Sequence, residues 1–429
     1  MLKHNRYTIF KTISKCLIVF LLAQTKTIYC QDTAKYFSFF STEVIKEDSD
    51  LKQLAPYFKG VKVVGMGEST HGTHEFSTMR QRMFKYLVEN HHFNTFFLEA
   101  DYANCLRVNA FIHGEEDNAR DAVKEINMWP WKTTEMVDLI NWMREYNEKN
   151  SNQLNFIGVD LQQYVETIRQ MDKILKKYKL PITDKITYQK MLDTNFFLIT
   201  DIKTLATYKK VVDEKKQIDL ISLNAEDDKI YTTLLRHLIQ IINSKNNDYR
   251  DKKMAENIIY HLDIDSTSKG LFWAHNGHVS NIYKKTKKEG KWNGFTGGNL
   301  KHLISDKYFS IGQEFYQGSF NAYYPDSTST HTISGVGYTL GVVKVNPAIE
   351  NSFSYKYKDI INPIFIDCST LPKKEKVTMS FIGAVYYPQR DGKPKSVARN
   401  NNHGKNAFDA IILIDESTPT HLLKKSYDN

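Results

Sequence analysis

Four short apolar runs along the chain are each followed directly by ionisable or amide side chains. The runs cover residues 61–66, 94–98, 154–159 and 270–274. Short runs rich in Val, Ile, Phe and Leu that end at Gly or at turn residues are typical of buried strands. The pattern therefore predicts four strands, each with polar residues just past its carboxyl end.

These polar residues are predicted to meet at one edge of a parallel sheet. Open α/β sheets bind their ligands beyond the carboxyl ends of the strands. If the four strands are parallel and adjacent, their polar side chains reach the same edge. We therefore expect one polar cleft, and its predicted residues are Glu68, His71, Glu99, Asp101, Asp160, His275 and His278.

The segment after the first strand has the spacing of an amphipathic helix. Over residues 74–89, apolar side chains recur at helical intervals, and Arg80 lies on the same stripe. A guanidinium keeps its proton under ordinary conditions, so on a core-facing stripe it needs a carboxylate. We predict that Arg80 faces inward and pairs with Glu68 or Glu99.

Further helical patterns alternate with the strands. They cover residues 102–127, 136–143 and 168–178. The alternation predicts an α/β fold with a mostly parallel central sheet flanked by helices. Residues 182–262 carry helical stripes and no convincing strand, which predicts a helical insertion or cap. That cap would divide the α/β domain into residues 31–181 and 263–429, with β-rich stretches near 315–323, 376–387 and 408–415.

The first thirty residues have the pattern of a secretory signal peptide. Four basic residues precede a short apolar stretch, and a polar region follows. The stretch is too short to cross a bilayer comfortably, and bulky Tyr29 before Cys30 disfavours a lipid anchor. We predict cleavage near residue 30 and an exported protein, periplasmic or secreted, with no stable membrane association after cleavage.

Charge and cysteine content exclude several classes of protein. Removal of residues 1–30 takes away five Lys or Arg residues and no acid, so the formal charge falls from +9 to +4. Such a mild excess argues against a nucleic-acid partner. Cys105 and Cys368 then remain, which could form one bridge but cannot make a cysteine metal cage.

The remaining residues favour chemistry by activated water. Ser69 is not in a Gly-x-Ser-x-Gly nucleophile turn, and a zinc-protease helix motif is missing because Thr78 stands where the second His is needed. A carboxylate that orients an imidazole lets its other nitrogen take a proton from water. Hydrolysis of an ester or similar acyl bond fits this set best, with a small-molecule substrate and no cofactor.

Large aromatic residues accompany the polar ones, and two readings of them stay open. They form either the apolar wall of the cleft or part of the core, and the core is the more common place for any one of them. The residues concerned are Tyr102, Trp129, Trp131 and Tyr164.

Two other functions remain open at this stage. Three His residues with several carboxylates could bind Zn²⁺ or Mn²⁺, which would make the protein a metal-dependent hydrolase. The cleft could also hold a ligand without turning it over, as in a binding protein.

The sequence resembles the erythromycin esterase family. Matching segments run in order over nearly the whole chain after residue 61. They are residues 67–72 (GESTHG), 97–99 (FLE), 129–131 (WPW), 158–160 (GVD), 273–279 (WAHNGHV) and 408–411 (FDAI), together with Glu75 and Arg80.

The resemblance implies an α/β fold with helical additions and an esterase that opens macrolide lactones, and so confers resistance to these antibiotics. By this resemblance His71 is the general base on water, with no covalent enzyme intermediate. Glu68 and Glu99 orient the base or the water, and Arg80, His275 and His278 support the site. The family is broader than macrolide hydrolysis. The resemblance therefore supports hydrolase chemistry more strongly than it supports a macrolide substrate.

Overall fold

The protein is described here from a computed structural model. The described residues are 34–45, 48–179, 223–244, 246–264, 266–285, 292–333, 335–350, 352–360, 363–372, 377–387, 395–396 and 407–423. The predicted signal peptide, residues 1–30, lies outside them. So do residues 182–222, the first half of the predicted cap.

The strands are numbered in chain order. They are β1 (Tyr36–Ser38), β2 (Val63–Met66), β3 (Thr95–Asp101), β4 (Asn155–Asp160), β5 (Gly270–Trp273), β6 (Tyr283–Lys285), β7 (Trp292–Gly294), β8 (Tyr308–Pro325), β9 (Thr332–Ile333), β10 (Val336–Val345), β11 (Ile364–Asp367), β12 (Thr378–Met379), β13 (Lys395–Ser396) and β14 (Ala410–Ser417).

The helices are numbered in the same way. They are α1 (His74–His91), α2 (Tyr102–Ile112), α3 (Ala119–Glu125), α4 (Thr134–Lys149), α5 (Val165–Lys177), α6 (Ala225–Ile242), α7 (Asn247–Ile264), α8 (Asn276–Val279), α9 (Thr296–Ile304) and α10 (Phe353–Lys356). Short 3₁₀ turns cover Ser49–Phe58, Trp129–Trp131, Ser305–Lys307 and Cys368–Thr370.

One large mixed sheet forms the centre of the molecule. Its strand order is β1-β11-β14-β8-β2-β5-β3-β4, with β10 paired to the far half of β8. The pairs from β14 to β4 along this order are parallel, and β1, β11 and β10 add antiparallel pairs. The predicted α/β fold with a mostly parallel sheet is confirmed, as is the adjacency of the four strands that carry the polar residues.

Helices cover both faces of the sheet, and the predicted apolar stripes lie in its core. Phe76, Met79, Met83 and Leu87 of α1 are all fully buried. They pack with α2, α4 and one face of β3 in the largest apolar cluster. The opposite face is covered mainly by α7 and α9, through Met254, Ile258, Leu262 and Leu300.

Two local predictions differ from the structure. The single helix predicted over 102–127 is two helices, because Gly114 adopts a left-handed φ of +82° and Asn118 caps α3 by accepting from the Asp121 backbone N–H. The stretch 376–387 contains little strand beyond β12. Its backbone bonds to the loop after β2, for example Ile382 N–H to the Ser69 carbonyl, and Val385 forms an isolated bridge with Tyr323 of β8.

The described part of the predicted cap is helical. α5 and α6 pack together in a separate apolar cluster. α7 packs on the sheet beside β4, and it runs to Ile264, so the predicted boundary at residue 262 falls inside this helix. The division into an insertion and two flanking halves stays a prediction.

Two further features concern the membrane and the cysteines. Among the described residues, no helix has the length and apolar character needed to cross a bilayer. Cys105 and Cys368 are both buried, and in the described part of the chain no disulfide joins them.

Candidate active site

The turn after β2 places a carboxylate against an imidazole. Glu68 is buried, and its Oε1 lies 2.6 Å from Nδ1 of His71, which is three residues further along the chain. With a hydrogen on Nδ1 donated to Glu68, the lone pair of a neutral His71 is on Nε2. That Nε2 makes no hydrogen bond with any described residue, and the His71 side chain is 13% exposed.

The other oxygen of Glu68 is held by two buried donors. Arg80 Nη2 donates to Glu68 Oε2 at 3.0 Å, and Trp273 Nε1 donates to it at 2.8 Å. The Arg80 guanidinium also lies over the Trp273 ring, 3.8 Å from its centroid. The prediction that Arg80 faces inward and pairs with Glu68 or Glu99 is confirmed, and Glu68 is the partner.

The charge on Arg80 survives its burial. Burial lowers the pKa of Arg80 to about 10, with Glu68 opposing the shift. The guanidinium is therefore charged at neutral pH and donates to the Glu68 carboxyl group. Glu68 then carries fixed hydrogen bonds on both oxygens, and its geometry determines that of His71.

His275 lies next to His71, and its surroundings favour the neutral form of its ring. The ring centroids of the two residues are 5.5 Å apart. Burial, together with the nearby His71 and His278 rings, lowers the pKa of His275 to about 3. Its Nδ1 accepts from the Gly277 backbone N–H at 3.1 Å. A neutral His275 therefore carries its proton on Nε2, a buried nitrogen that makes no well-aligned hydrogen bond to a described residue, although the Ser69 backbone is close enough to raise its pKa.

Glu99 is the centre of a network of charges behind the His pair. Its Oε2 accepts from the His275 backbone N–H at 2.8 Å, and its Oε1 lies 2.7 Å from Arg250 Nη2 and 3.1 Å from His278 Nε2. Burial alone would raise the pKa of Glu99, but His278 and Arg250 hold it well below its ordinary range. Glu99 is thus an anion that fixes the backbone of His275.

His278 is a part-buried cation in this network, with its side chain 15% exposed. Its Nδ1 lies 2.7 Å from Asp251 Oδ1, and its Nε2 faces Glu99. Burial alone would lower its pKa, but Glu99 and Asp251 raise the pKa of His278 to about 10. Both ring nitrogens then face carboxylates, while the Arg250 guanidinium, 3.1 Å from Nε2, opposes the rise in pKa. Of the pair 275/278, His275 is the one beside His71.

Asp160 and Asp101 lie at the neighbouring strand ends, further from His71. Asp160 accepts from Arg250 Nε at 2.7 Å and from Arg250 Nη2 at 2.6 Å. Asp101 accepts from the backbone N–H groups of Gln162 and Gln163 through Oδ1. Burial and the nearby Asp160 raise the pKa of Asp101 to about 7. These contacts give Asp101 and Asp160 the geometry of supports for the sheet edge.

A loop around Gly383 closes over the two imidazoles. The Gly383 carbonyl accepts from the His71 backbone N–H, and its own N–H donates to the Ser69 carbonyl. Gly383 has a φ of +65°, and a Cβ there would lie 3.9 Å from Nε2 of both His71 and His275. Glycine at this position therefore lets the loop approach the site without a side chain between the rings.

A buried carboxyl holds the same loop to the sheet. Glu314 on β8 accepts from the Ser380 backbone N–H and lies 3.3 Å from Ser69 Oγ. Burial raises the pKa of Glu314 to about 8. A protonated Glu314 donates a hydrogen bond as well as accepting them, which suits a carboxyl placed between two loops.

The predicted aromatic residues occupy different places. Trp131 is fully buried and makes an edge contact with His71, with ring centroids 5.8 Å apart. Trp129 is part-exposed and contacts Tyr323. Tyr102 stacks between His237 and His261, and Tyr164 is buried in the cluster of α5 and α6. Trp131 is the aromatic residue of this set that touches the His pair.

Sequence patterns missed Arg250, Asp251 and Gly383. Arg250 donates to Glu99 and Asp160 and lies 3.1 Å from His278 Nε2, although it belongs to the segment predicted to be a helical insertion or cap. No apolar run precedes it, so the strand-end pattern could not find it. The unpaired carboxylates at three strand ends were the available signal, because buried charges need partners.

A possible metal-binding set lies elsewhere. Among the described residues, His74, Glu135 and His421 are the three potential ligands whose donor atoms lie within 4.8 Å of one another. This set is at the amino ends of α1 and α4 and does not include His71, His275 or Glu99.

The site as a whole can take a proton and stabilise an anion. His71 Nε2 is a proton acceptor held in one tautomer, and the neutral His275 Nε2–H is a donor next to it. A buried, unpartnered donor beside a general base is suited to a developing oxyanion.

A family model, a relative by sequence and a solved structure all point to erythromycin esterases. The family model for erythromycin esterase matches residues 88–417. The chain is 24% identical over 319 residues to the erythromycin esterase type II of Escherichia coli, covering 65% of this chain and 74% of that protein. It is 22% identical over 417 residues to the putative hydrolase YbfO of Bacillus subtilis (strain 168), covering 88% of each. A solved structure of the erythromycin esterase EreC, a mutant in its open conformation, has a TM-score of 0.63 at 15% identity, covering 91% of this chain and all of that one.

Proposed function

This chain belongs to the erythromycin esterase family of hydrolases, and we propose that it hydrolyses a small-molecule ester with water activated by His71. The observation that carries the proposal is the 2.6 Å contact between His71 Nδ1 and the buried carboxyl group of Glu68. A general base needs a nitrogen with a free lone pair, and this contact leaves Nε2 in that state.

The reaction proceeds in two steps. In the first, water attacks the ester carbonyl carbon while His71 Nε2 takes its proton, and the carbonyl oxygen becomes an oxyanion that accepts from His275 Nε2–H. In the second, the oxyanion re-forms the carbonyl and the carbon–oxygen bond of the leaving alcohol breaks. The proton on His71 goes to that alkoxide. A cyclic ester thereby becomes one hydroxy acid, and the enzyme returns to its starting state.

The charged network supports these steps without touching the substrate. Arg80 and Trp273 hold Glu68, and Glu68 holds the tautomer of His71. Glu99 holds the backbone of His275. Because burial keeps His275 neutral, its Nε2–H is available as a donor over the whole range in which His71 acts as a base.

Macrolide lactones are the proposed substrate class. The support is the family itself and a relative, the erythromycin esterase type II of Escherichia coli. An ester closed into a ring is hydrolysed to a single product, so such an enzyme inactivates the antibiotic by adding one water. Resistance to macrolides would follow for the cell that makes it. We further propose that the chain is exported, on the strength of the basic and apolar pattern in residues 1–30.

Incubation of erythromycin with the purified protein tests the proposal, with the product followed by mass spectrometry. We expect a gain of one water. An unchanged erythromycin mass together with a raised melting temperature would indicate binding alone. An unchanged mass with no binding would indicate that the substrate is a different ester. Activity assays on a panel of macrolides and simple aryl esters would then identify it.

The same assay separates the metal-free mechanism from the metal-dependent one. Activity is measured before and after dialysis against a chelator, and metal content is determined alongside. We expect full activity after chelation, because His71 and Glu68 provide the base. Loss of activity that returns with added metal would contradict this mechanism.

A further inference from the structure

Two histidines and a glutamate from distant parts of the chain meet outside the His71 cleft. His74 is the first residue of α1, Glu135 lies in the first turn of α4, and His421 belongs to the C-terminal segment after β14. One donor atom from each lies within 4.8 Å of the other two. Glu43, from the N-terminal loop, is 3.1 Å from His74 Nε2.

The contacts among them converge on one oxygen. Glu135 Oε1 lies 2.6 Å from His74 Nδ1 and 2.8 Å from His421 Nδ1. A bound zinc ion has bonds of about 2.0–2.2 Å to nitrogen and oxygen, which places tetrahedral ligands about 3.4 Å apart. Side-chain movements of under about 1 Å would therefore open enough space for a zinc ion to replace the protons that these atoms share.

We propose that His74, Glu135 and His421 form a binding site for a divalent transition-metal ion of the zinc type, with Glu43 as an outer-shell partner on Nε2 of His74. Two imidazoles and a carboxylate are the donors that zinc accepts, whereas Ca²⁺ and Mg²⁺ prefer sets made of oxygen alone. The inference goes beyond the proposed hydrolysis and does not depend on it.

The surroundings favour entry of a cation. The cluster lies in a surface cavity of about 840 Å³ that is also lined by Asp138, Glu145 and Lys85. The acids of this cavity outnumber its one lysine, and grouped charges of one sign raise the local concentration of the opposite ion. His421 is 68% exposed at its side chain, so the site is open to solvent.

The ion would join three parts of the chain. The C-terminal segment is already placed across the amino ends of α1 and α4, because Thr134 N–H donates to the His421 carbonyl and Thr73 pairs with Pro419. A metal bound to His74 and His421 would fix the C-terminal segment to the start of α1. His74 is three residues after His71, so the ion would lie close to the cleft along the chain. Zinc should therefore raise the melting temperature of the protein, since a ligand that binds only the folded state stabilises it.

Zinc titration of the metal-free full-length chain, by calorimetry with metal analysis after dialysis, tests the proposal. We expect one Zn²⁺ per chain in this site. His421→Ala should weaken binding at least about tenfold, since loss of even an outer-shell partner of a metal typically costs about 10–100-fold. Zinc should raise the melting temperature of the wild type and not of this variant.

Matched variants separate this site from other histidines. His302 is exposed on α9, far along the chain from the cluster, and His302→Ala should bind zinc as the wild type does. His71→Gln should also keep the zinc, which distinguishes the site from the cleft. His74→Asn repeats the test on the second imidazole, so the result does not rest on one variant. Hydrolysis by His421→Ala should be unchanged.

Three results would overturn the proposal. One is the absence of zinc binding at micromolar concentration. Another is equal affinity in the wild type and in both His421→Ala and His74→Asn. The third is loss of the zinc in His71→Gln, which would place the ion in the cleft. In each case the cluster is a hydrogen-bonded His–Glu–His group alone.

Discussion

Glu68 and His71 are joined by a 2.6 Å contact within a single turn, and the other oxygen of Glu68 is held by Arg80 and Trp273. The carboxylate has no freedom to leave the imidazole, because both of its oxygens are engaged in a buried environment. Pre-organisation of this kind lets a base act without reorganising its surroundings.

The first prediction concerns the guanidinium group of Arg80. Arg80→Lys replaces a planar guanidinium, which donates to Glu68 and to the Gly67 carbonyl and stacks on Trp273, by a compact ammonium. We expect turnover to fall by about tenfold or more, because Glu68 would no longer hold His71 in place. Steady-state kinetics on any hydrolysed ester measure it.

Arg82→Lys is the matched control for that variant. Arg82 is also buried in α1 and paired with a carboxylate, Asp50, but its partners lie away from the cleft. We expect Arg82→Lys to lower the free energy of unfolding while leaving turnover near that of the wild type. Equal losses of turnover in the two variants would show that Arg80 acts only through general stability.

The second prediction concerns Arg250 and its two carboxylates. Arg250 lies between Glu99 and Asp160, which are both buried. Removal of one partner of a buried ion pair typically costs about 3–5 kcal/mol, because it leaves an uncompensated charge. Arg250→Met should lower the free energy of unfolding by about that amount, as measured by denaturant titration.

A double variant tests the cause of that loss. Asp160→Asn removes one of the charges that Arg250→Met leaves without a partner. The double variant should therefore be more stable than the sum of the two single effects predicts. Strict additivity would contradict a direct charge interaction between the two residues.

The third prediction concerns the stability that His278 provides at different pH values. Asp251 and Glu99 raise the pKa of His278 to about 10 from its ordinary 6.5. The folded state therefore holds a proton that the unfolded state has lost between these two values. The contribution is complete below about pH 6.5 and disappears as the pH rises through about 10.

His278→Gln reports this contribution by difference. The wild type should exceed the variant in free energy of unfolding most clearly below pH 6.5, and the excess should decline toward pH 10. An excess that is constant or grows with pH would contradict a charged His278. Denaturant titrations at a series of pH values supply the measurement.

The fourth prediction assigns the acid limb of the rate profile. A protonated His71 cannot accept a proton from water, so kcat/KM should fall on the acid side. His275 cannot cause this limb, because burial holds its pKa at about 3. The limb should therefore persist in the residual activity of His275→Asn and be absent from that of His71→Gln. The reverse pattern would indicate that His275 is the general base and that His71 is the donor to the oxyanion.

The sequence predicted the elements that follow a simple period. The strand ends, the α1 stripe and the inward direction of Arg80 all came from apolar runs and helical spacing, which reflect burial in this sheet. Such patterns locate residues within one element. They placed Glu68, His71 and His275 at one sheet edge because parallel neighbours share that edge.

Contacts between distant segments had no such signal. Arg250 reaches Glu99 and Asp160 across 151 and 90 residues, and no period in α7 marks it. Gly383 acts through a left-handed backbone conformation over the site, which only the folded chain reveals. The stretch 376–387 was predicted to be β-rich, but its described residues form the short strand β12 and isolated bridges, because its backbone bonds to the loop after β2 and at one position to Tyr323 of β8.

The most direct test of the central claim is the turnover of His71→Gln relative to the wild type on the same ester. General-base catalysis is typically worth about 10²–10⁴ in rate, so turnover should fall at least about a hundredfold. The free energy of unfolding should stay close to that of the wild type, because His71 is partly exposed. Near-normal turnover by a folded His71→Gln would contradict the assignment of His71 as the base.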